Sequence, residues 1–330
     1  MATKSTAVRT VVGASRAAAS KVLDFHAVPH RMLEVGASRI AYRTLGEGPD
    51  LVFIHGWPLD LNTYRDLAPL LASSFRCHLF DLPGAGATQT TDRRALRLDA
   101  HIDTTRALID QLGLQRYAIL AHDSGGLIAR YVAADDARVT ALVLGNTEIS
   151  GHHAPMLQVL KAVVNTPVLG PLFLSAVMRM PFVRRSRVGF GGCFENRDLI
   201  DGEFNDLFLA PMLADKRRAF SQTELLRTLD PALVDRLPDV HARLRCPVQL
   251  IWGRDDPFFP LPLARKMLPE FAAGATLEVI EDGKLYVHEE RPAPFAHLAR
   301  SFLQEAFAAS DAQAPGGEAA TSRATGAVSG

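Results

Sequence analysis

Unbroken apolar runs of strand length recur along the chain. Leu51-Val52-Phe53-Ile54, Cys77-His78-Leu79-Phe80, Tyr117-Ala118-Ile119-Leu120-Ala121, Ala141-Leu142-Val143-Leu144, Val248-Gln249-Leu250-Ile251-Trp252 and Thr276-Leu277-Glu278-Val279-Ile280 predict strands, mostly of the kind buried on both faces. Ile40-Ala41-Tyr42-Arg43 predicts a further strand, ended by the turn Gly46-Glu47-Gly48-Pro49. Helical spacing lies between these runs, at Leu61 to Leu71, Leu98 to Leu112, after Asp123, near Leu263 to Phe271, and from Pro294 to Phe307. In the second of these, Ile102, Thr105, Leu108, Ile109 and Leu112 share one face. Strands alternating with helices through short connections predict an α/β class fold, a mostly parallel sheet covered on both faces.

The alternation stops at 148–244. Prolines at 155, 167, 171, 181, 211, 231 and 238 cut that stretch into short helical pieces, and it carries seven phenylalanines, which suggest an apolar pocket. The expected organisation is an N-terminal arm at 1–30, a first core part at 31–147, a helical insertion at 148–244, a second core part at 245–308, and a disordered Ala/Gly/Ser/Thr-rich tail at 309–330. No repeat of solenoid period is present.

Composition narrows the function classes. The chain has 330 residues, 48% hydrophobic and 22% charged, with 36 basic and 36 acidic side chains and a net charge of +0. No global field selects nucleic acid or an anionic surface. Cys77, Cys193 and Cys246 are too scattered for a disulfide framework or a Cys-x-x-Cys metal pair, so neither a metal nor a cofactor is expected. No apolar run reaches membrane-spanning length. Lys4, Arg9, Arg16 and Lys21 precede the first acid, Asp24, a composition shared with transit peptides; a loose arm on a cytoplasmic protein is the preferred reading. The expected partner is a small molecule.

The candidate chemistry starts at Ala121-His122-Asp123-Ser124-Gly125. A strand that turns sharply into a helix needs small residues two before and two after its apex. Ala121 and Gly125 meet that need around Asp123, whereas His122 does not meet it around Ser124. The apex is therefore a carboxylate; the competing reading is a helix-capping Asp or Ser. Other loops leave the carboxyl ends of strands, where ligands bind such sheets: His55-Gly56-Trp57-Pro58, 253–260 and 282–292.

Together these segments resemble the α/β-hydrolase fold family over about residues 35–305. The matching motifs are His-Gly-x-Pro at 55–58, Asp-x-x-Gly-x-Gly at 81–86, the turn at 121–125, Trp-Gly-x-x-Asp-x-x-x-Pro at 252–260 and Glu-Glu-Arg-Pro at 289–292. An Asp apex looks like the branch of haloalkane and haloacetate dehalogenases and epoxide hydrolases, where a carboxylate attacks an sp3 carbon and forms an ester. The resemblance implies Asp123 as nucleophile, an oxyanion loop holding His55 with N–H donors at Trp57 and Ser124, Asp256 as the acid that orients a histidine, and a cap at 148–244. The histidine position itself, four residues before Glu289, holds Leu285. His288 is the candidate relocated base, weighed against a surface or loop role; His152 and His153 at the insertion's entrance are further candidates. Asn146 falls near the alternative acid position and can hydrogen-bond a leaving halide or water. The insertion lacks the tyrosines of epoxide hydrolases, and Ser124 stands where the halide-binding Trp of dehalogenases follows the apex. The expectation is a hydrolase acting on a small, largely apolar molecule. The alternative is a non-hydrolytic cyclase- or isomerase-like enzyme, or a ligand-binding pseudoenzyme.

Overall fold

The apolar runs become the middle of one ten-stranded sheet in a computed structural model that describes residues 8–11, 24–166, 179–187 and 189–313. The strands are β1 (Val8–Val11), β2 (Arg31–Val35), β3 (Ser38–Leu45), β4 (Asp50–Ile54), β5 (Arg76–Phe80), β6 (Gln89–Thr90), β7 (Tyr117–His122), β8 (Val139–Gly145), β9 (Val248–Gly253) and β10 (Ala275–Ile280). Their order is β1-β10-β9-β8-β7-β4-β5-β3-β2, with β6 on β3. Neighbours from β1 to β5 are parallel; β2, β3 and β6 add the antiparallel edge.

Side chains alternate between two cores, as the strand period of two requires. Val52, Ile54, Ile119, Ala121, Leu142, Leu144, Leu250 and Trp252 pack on one face with the helices Leu98–Gln111 and Asp123–Ala134. Leu51, Phe53, Ala118, Leu120, Ala141, Val143 and Ile251 pack on the other with Phe295, Leu303 and Phe307 of the helix Pro292–Gln313. Register levels the strand ends. Ile54 lies opposite Ala121, His122 opposite Gly145, and Gly253 opposite Ile280. The loops after β4, β7, β8, β9 and β10 therefore open at one edge of the sheet.

Several boundaries differ from the sequence expectation. The antiparallel pair β2–β3 begins at Arg31, where the first core part was placed, but Val8–Val11 of the arm pairs with β10. The stretch 61–71 divides into a 3-10 turn, Leu61–Tyr64, and a helix, Ala68–Leu71. Asp60 caps the first by accepting the Asn62 N–H at 2.9 Å, and Pro69 opens the second. The last helix runs to Gln313, so the boundary placed at 308 falls within it. Buried Phe307 and an Arg116–Asp311 ion pair hold its end to the core. Residues 314–330 lie outside the described residues.

Between β8 and β9 the described residues form helices and turns only. Prolines open the helices Pro155–Val164, Pro181–Arg184, Ala210–Ala214, Pro231–Asp235 and Leu237–Arg243, where a missing N–H is no loss. The phenylalanines serve mostly as packing. Phe190, Phe194, Phe204 and Phe208 pack on one another, Phe194 and Phe204 pack on Tyr286, and all four join the main core, while Phe194 and Phe204 also line a cavity with Leu199, Arg65 and Glu289. Phe182 is 74% exposed, and Phe173 and the prolines at 167 and 171 lie outside the described residues. The insertion sits directly on the strand-end loops. The Trp57 indole N–H donates to the Gln222 carbonyl at 3.1 Å, and the Gln222 amide donates to the Gly84 carbonyl at 3.0 Å. Among the described residues no helix is long and apolar enough to cross a membrane.

Candidate active site

β7 ends at His122, and the next residue turns the chain back into the helix Asp123–Ala134. Asp123 has φ +49°, the only positive φ among the described non-glycine residues. Holding a side chain there costs about 1–3 kcal/mol, so surrounding bonds must impose it. The Asp123 N–H donates to the Asn146 carbonyl at 2.8 Å, and the Asp123 carbonyl lies 2.8 Å from Thr147 Oγ1. The turn leaves no room for neighbours with side chains. A Cβ on Gly125 would lie 2.3 Å from the Ile54 carbonyl oxygen, and one on Gly56 would lie 2.5 Å from Asp123 Oδ2.

The Asp123 carboxylate faces N–H groups in an enclosed place. The Trp57 backbone N–H donates to Oδ2 at 2.9 Å and is shared with Ser124 Oγ at 3.1 Å. Burial pushes the Asp123 carboxyl well above its ordinary range, the nearby Glu148 carboxylate pushes the same way, and the Ser124 and Trp57 N–H groups oppose them. Behind the turn lies a buried charge cluster that sequence reasoning missed. Arg130, with 0% exposure, donates to the Gly126 carbonyl at 3.0 Å, the Glu148 carbonyl at 2.9 Å and Thr147 Oγ1 at 3.0 Å, and stands 3.7 Å from Glu148 Oε2. The available signal was position: Glu148 lies in the loop leaving the carboxyl end of β8.

A second carboxylate stands on the loop after β9. Asp256 Oδ1 accepts the Phe258 N–H at 2.7 Å and the Phe259 N–H at 3.2 Å, and Oδ2 accepts the Asn146 amide at 2.7 Å. Burial pushes Asp256 up to about 7, opposed by those donors. Asn146 thus ties the two carboxylate loops together: its backbone carbonyl holds Asp123, its amide nitrogen holds Asp256, and its amide oxygen takes the Gly253 N–H at 2.7 Å. An amide so committed braces the site instead of meeting a halide or water. Asp255 is exposed.

The segment after β10 closes the site. Leu285 is buried in the main core cluster, and Tyr286 donates its hydroxyl to the Trp57 carbonyl at 3.1 Å and its N–H to the Cys193 carbonyl at 3.1 Å. Gly192 places its α-carbon against Pro257 and Phe258, leaving 3.2 Å and 3.3 Å for a Cβ. Cys193 is consequently wedged between the Asp256 loop and the Leu285 segment. Burial raises its thiol well above the ordinary range, and the charges of Asp256 and Asp123 add to that.

The histidines face elsewhere. His55 Nδ1 donates to the Gly56 carbonyl at 2.9 Å and Nε2 accepts the Leu82 N–H at 3.0 Å, so the ring braces the loop and, lowered by burial to about 4, stays neutral. His288 is 1% exposed, not a surface residue. Its Nε2 donates to Thr63 Oγ1 at 2.8 Å, because that hydroxyl gives its own proton to Glu289 Oε1 at 2.7 Å. Its ring stacks on His122 with centroids 3.9 Å apart, and burial lowers it to about 3. The cause of this inward turn is the ion pair of Glu289 with Arg65 at 2.6 Å, which pins the short helix Val287–Glu290 to the core. His152 Nε2 donates to the Phe258 carbonyl at 2.9 Å, and His153 Nε2 meets Asp235 at 2.9 Å on an exposed edge. Among the described residues no imidazole hydrogen-bonds Asp123 or Asp256, and no three His, Cys, Asp or Glu side chains group as a metal site.

Comparison with known proteins places this geometry. The chain is 27% identical over 265 residues to haloalkane dehalogenase 2 of Mycobacterium bovis, covering 79% of this chain and 90% of that protein. It is 28% identical over 280 residues to 2-hydroxy-6-oxononadienedioate/2-hydroxy-6-oxononatrienedioate hydrolase 2 of Pseudomonas putida, covering 81% and 92%. The structure of the epoxide hydrolase CorEH superposes with a TM-score of 0.71 at 22% identity, covering 86% of this chain and 99% of that one. Residues 51–298 match the model of the alpha/beta hydrolase family, and with the sheet order and the strand-end loops already described, the chain belongs to that family.

Proposed function

We propose that the protein is a hydrolase of small, largely apolar molecules in which the Asp123 carboxylate attacks an sp3 carbon bearing a halide or an epoxide oxygen. The observation that supports this reading best is the forced φ of +49° at Asp123 together with the 2.9 Å bond from the Trp57 N–H to Oδ2. Strain at that position is worth keeping only if the side chain must be presented there. One carboxylate oxygen stays held by N–H dipoles while the other attacks in line; the C–halogen bond breaks and halide departs, or the C–O bond of the epoxide breaks and its oxygen takes a proton from water, and an alkyl ester of Asp123 results. Trp57 and Phe258, whose N–H groups hold the two carboxylates, carry half-buried aromatic side chains suited to an apolar substrate. Relatives named as a haloalkane dehalogenase and a soluble epoxide hydrolase are in keeping with substrates of these two classes.

Attack needs the ionised carboxylate. Because burial raises Asp123, ester formation should increase as pH rises. Intact-mass measurement after exposure to 1-bromobutane and to 1,2-epoxybutane tests the assignment. The wild type should gain the alkyl mass on the peptide containing Asp123, or release the alcohol or diol, and Asp123→Asn should do neither. Turnover unchanged in Asp123→Asn would overturn it. A second reading has its own support: Leu285 is buried where the family carries its histidine, and no imidazole hydrogen-bonds either carboxylate. A non-hydrolytic enzyme or a binding protein would use the same enclosed site without an ester, and Asp123→Asn would then leave binding or turnover intact.

A further inference from the structure

The ester proposed above must be hydrolysed by some group, and among the described residues no imidazole hydrogen-bonds Asp123 or Asp256; the nearest, His122 and His288, stack on each other and leave each Nδ1 buried without a partner. His55 braces the loop after β4, His288 is held by Thr63 against His122, and His152 is bonded to Phe258. The carboxylate that would ordinarily orient an imidazole has none to orient. Asp256 is 4% exposed and held by three N–H donors, two on Oδ1 and one on Oδ2. A carboxylate has about four acceptor sites, so Oδ2 keeps one lone pair uncommitted. The donor on Oδ2 belongs to Asn146, whose own carbonyl holds the Asp123 N–H, so this oxygen lies on the Asp123 side of the loop. Asn146 bonds both carboxylate-bearing segments, so Asp123 and Asp256 stand on neighbouring loops at the same end of the sheet, and each carboxylate's charge reaches Cys193 and Tyr286.

Resting on the Asp123 ester reading, we infer that Asp256 is itself the general base that hydrolyses the ester, acting on water directly through Oδ2 with no histidine between. Asp256 takes one proton from water as the water oxygen bonds to the carboxyl carbon of Asp123. The carbonyl electron pair moves onto the oxygen held by the Trp57 and Ser124 N–H groups. On collapse that C=O re-forms and the bond from the carboxyl carbon to the alkoxy oxygen breaks. The departing alkoxide takes the proton from Asp256 and leaves as the alcohol. Asp123 remains as the acid and loses its proton to solvent.

The groups facing Asp256 suit this role. From the elbow comes Asp123, from the insertion the Cys193 thiol, and from the segment after β10 Tyr286 and Lys284; the Lys284 ammonium is turned to the Phe194 carbonyl and Glu195, and no cation is among the groups that shift Asp256. Burial raises it to about 7, the range in which a base is both available and effective near neutrality.

The test follows the Asp123 ester by rapid-quench mass spectrometry with 1-bromobutane, in wild type, Asp256→Asn and Asp256→Ala. Both variants should still form the ester, which reports that the site is folded. Its decay should slow by about 100-fold or more in each, the scale of a lost general base. Added formate should accelerate decay in Asp256→Ala, and wild-type decay should rise with pH and level above about 7. A merely structural Asp256 would slow ester formation and ester decay alike and leave the pH profile of decay unchanged. Ester decay at the wild-type rate in Asp256→Asn overturns the inference while leaving the Asp123 reading in place. No ester and no alcohol from the wild type overturns both.

Discussion

Arg130 carries a full charge with no exposed surface, and its partners explain why the chain tolerates it. Its guanidinium joins the first turn of the Asp123 helix, at Gly126, to the loop after β8, at Thr147 and Glu148. Those are the same two segments whose backbone bonds impose the conformation of Asp123. Replacing Arg130 with Met would leave Glu148 buried without its cation, which typically costs about 3–5 kcal/mol. Denaturant unfolding of Arg130→Met should show that loss, and Arg130→Met/Glu148→Gln should recover part of it; a loss below about 1 kcal/mol would show the cluster to be incidental. None of this was legible in the sequence, because Arg130 reads there as one polar position on a helix. Asp123 was legible because the size rule of a tight turn acts between near neighbours in sequence. His288 shows the opposite case: its direction depends on the Arg65–Glu289 pair, a contact across 224 positions that no local pattern announces.

At the scale of elements, the strands that bury both faces were the readable ones. β4, β7, β8 and β9 are runs of buried apolar residues, and nothing competes with that signal. β2 was missed because it is an edge strand in which only Val35 is buried, so neither alternation nor an apolar run marks it. The 61–71 stretch has helical spacing, but the Asp60 cap and Pro69 divide it. The glycines matter most where elements meet. Gly125→Ala would drive a Cβ to 2.3 Å and 2.5 Å from the carbonyl oxygens of Ile54, the last residue of β4, and of His55 just beyond it. That substitution should cost about 1–3 kcal/mol and reduce ester formation by displacing Asp123. Gly202→Ala, whose nearest atom would be 3.6 Å away, is the matched control and should leave both stability and ester formation unchanged. Equal behaviour of the two variants would remove the steric argument for the turn.

Across the whole molecule, ionisable groups are enclosed on both sides of neutrality, and this shapes how stability responds to pH. Burial raises Asp60 from 3.8 to about 6, Asp256 to about 7 and Asp81 to about 8, and also raises Asp123. Each therefore contributes fully below its unfolded value and loses that contribution as pH rises through its folded value. Burial lowers His55 and His241 from 6.5 to about 4, and His101 and His288 to about 3. Those contribute fully above 6.5 and are lost as pH falls. Between about 4 and 6 the two sets oppose each other, each group acting with a slope of about 1.4 kcal/mol per pH unit. Above 6.5 the histidines are neutral folded or unfolded, while Asp81 and Asp256 still hold protons that the unfolded chain has released. Stability should then decline up to about pH 8, and the optimum should lie on the acid side of neutral. Thermal unfolding at constant ionic strength should give a higher midpoint at pH 6 than at pH 8. A midpoint that rises over that interval would mean that these carboxylates are ionised in the folded protein, and Asp256 would then lose the proton affinity that its role as a base requires.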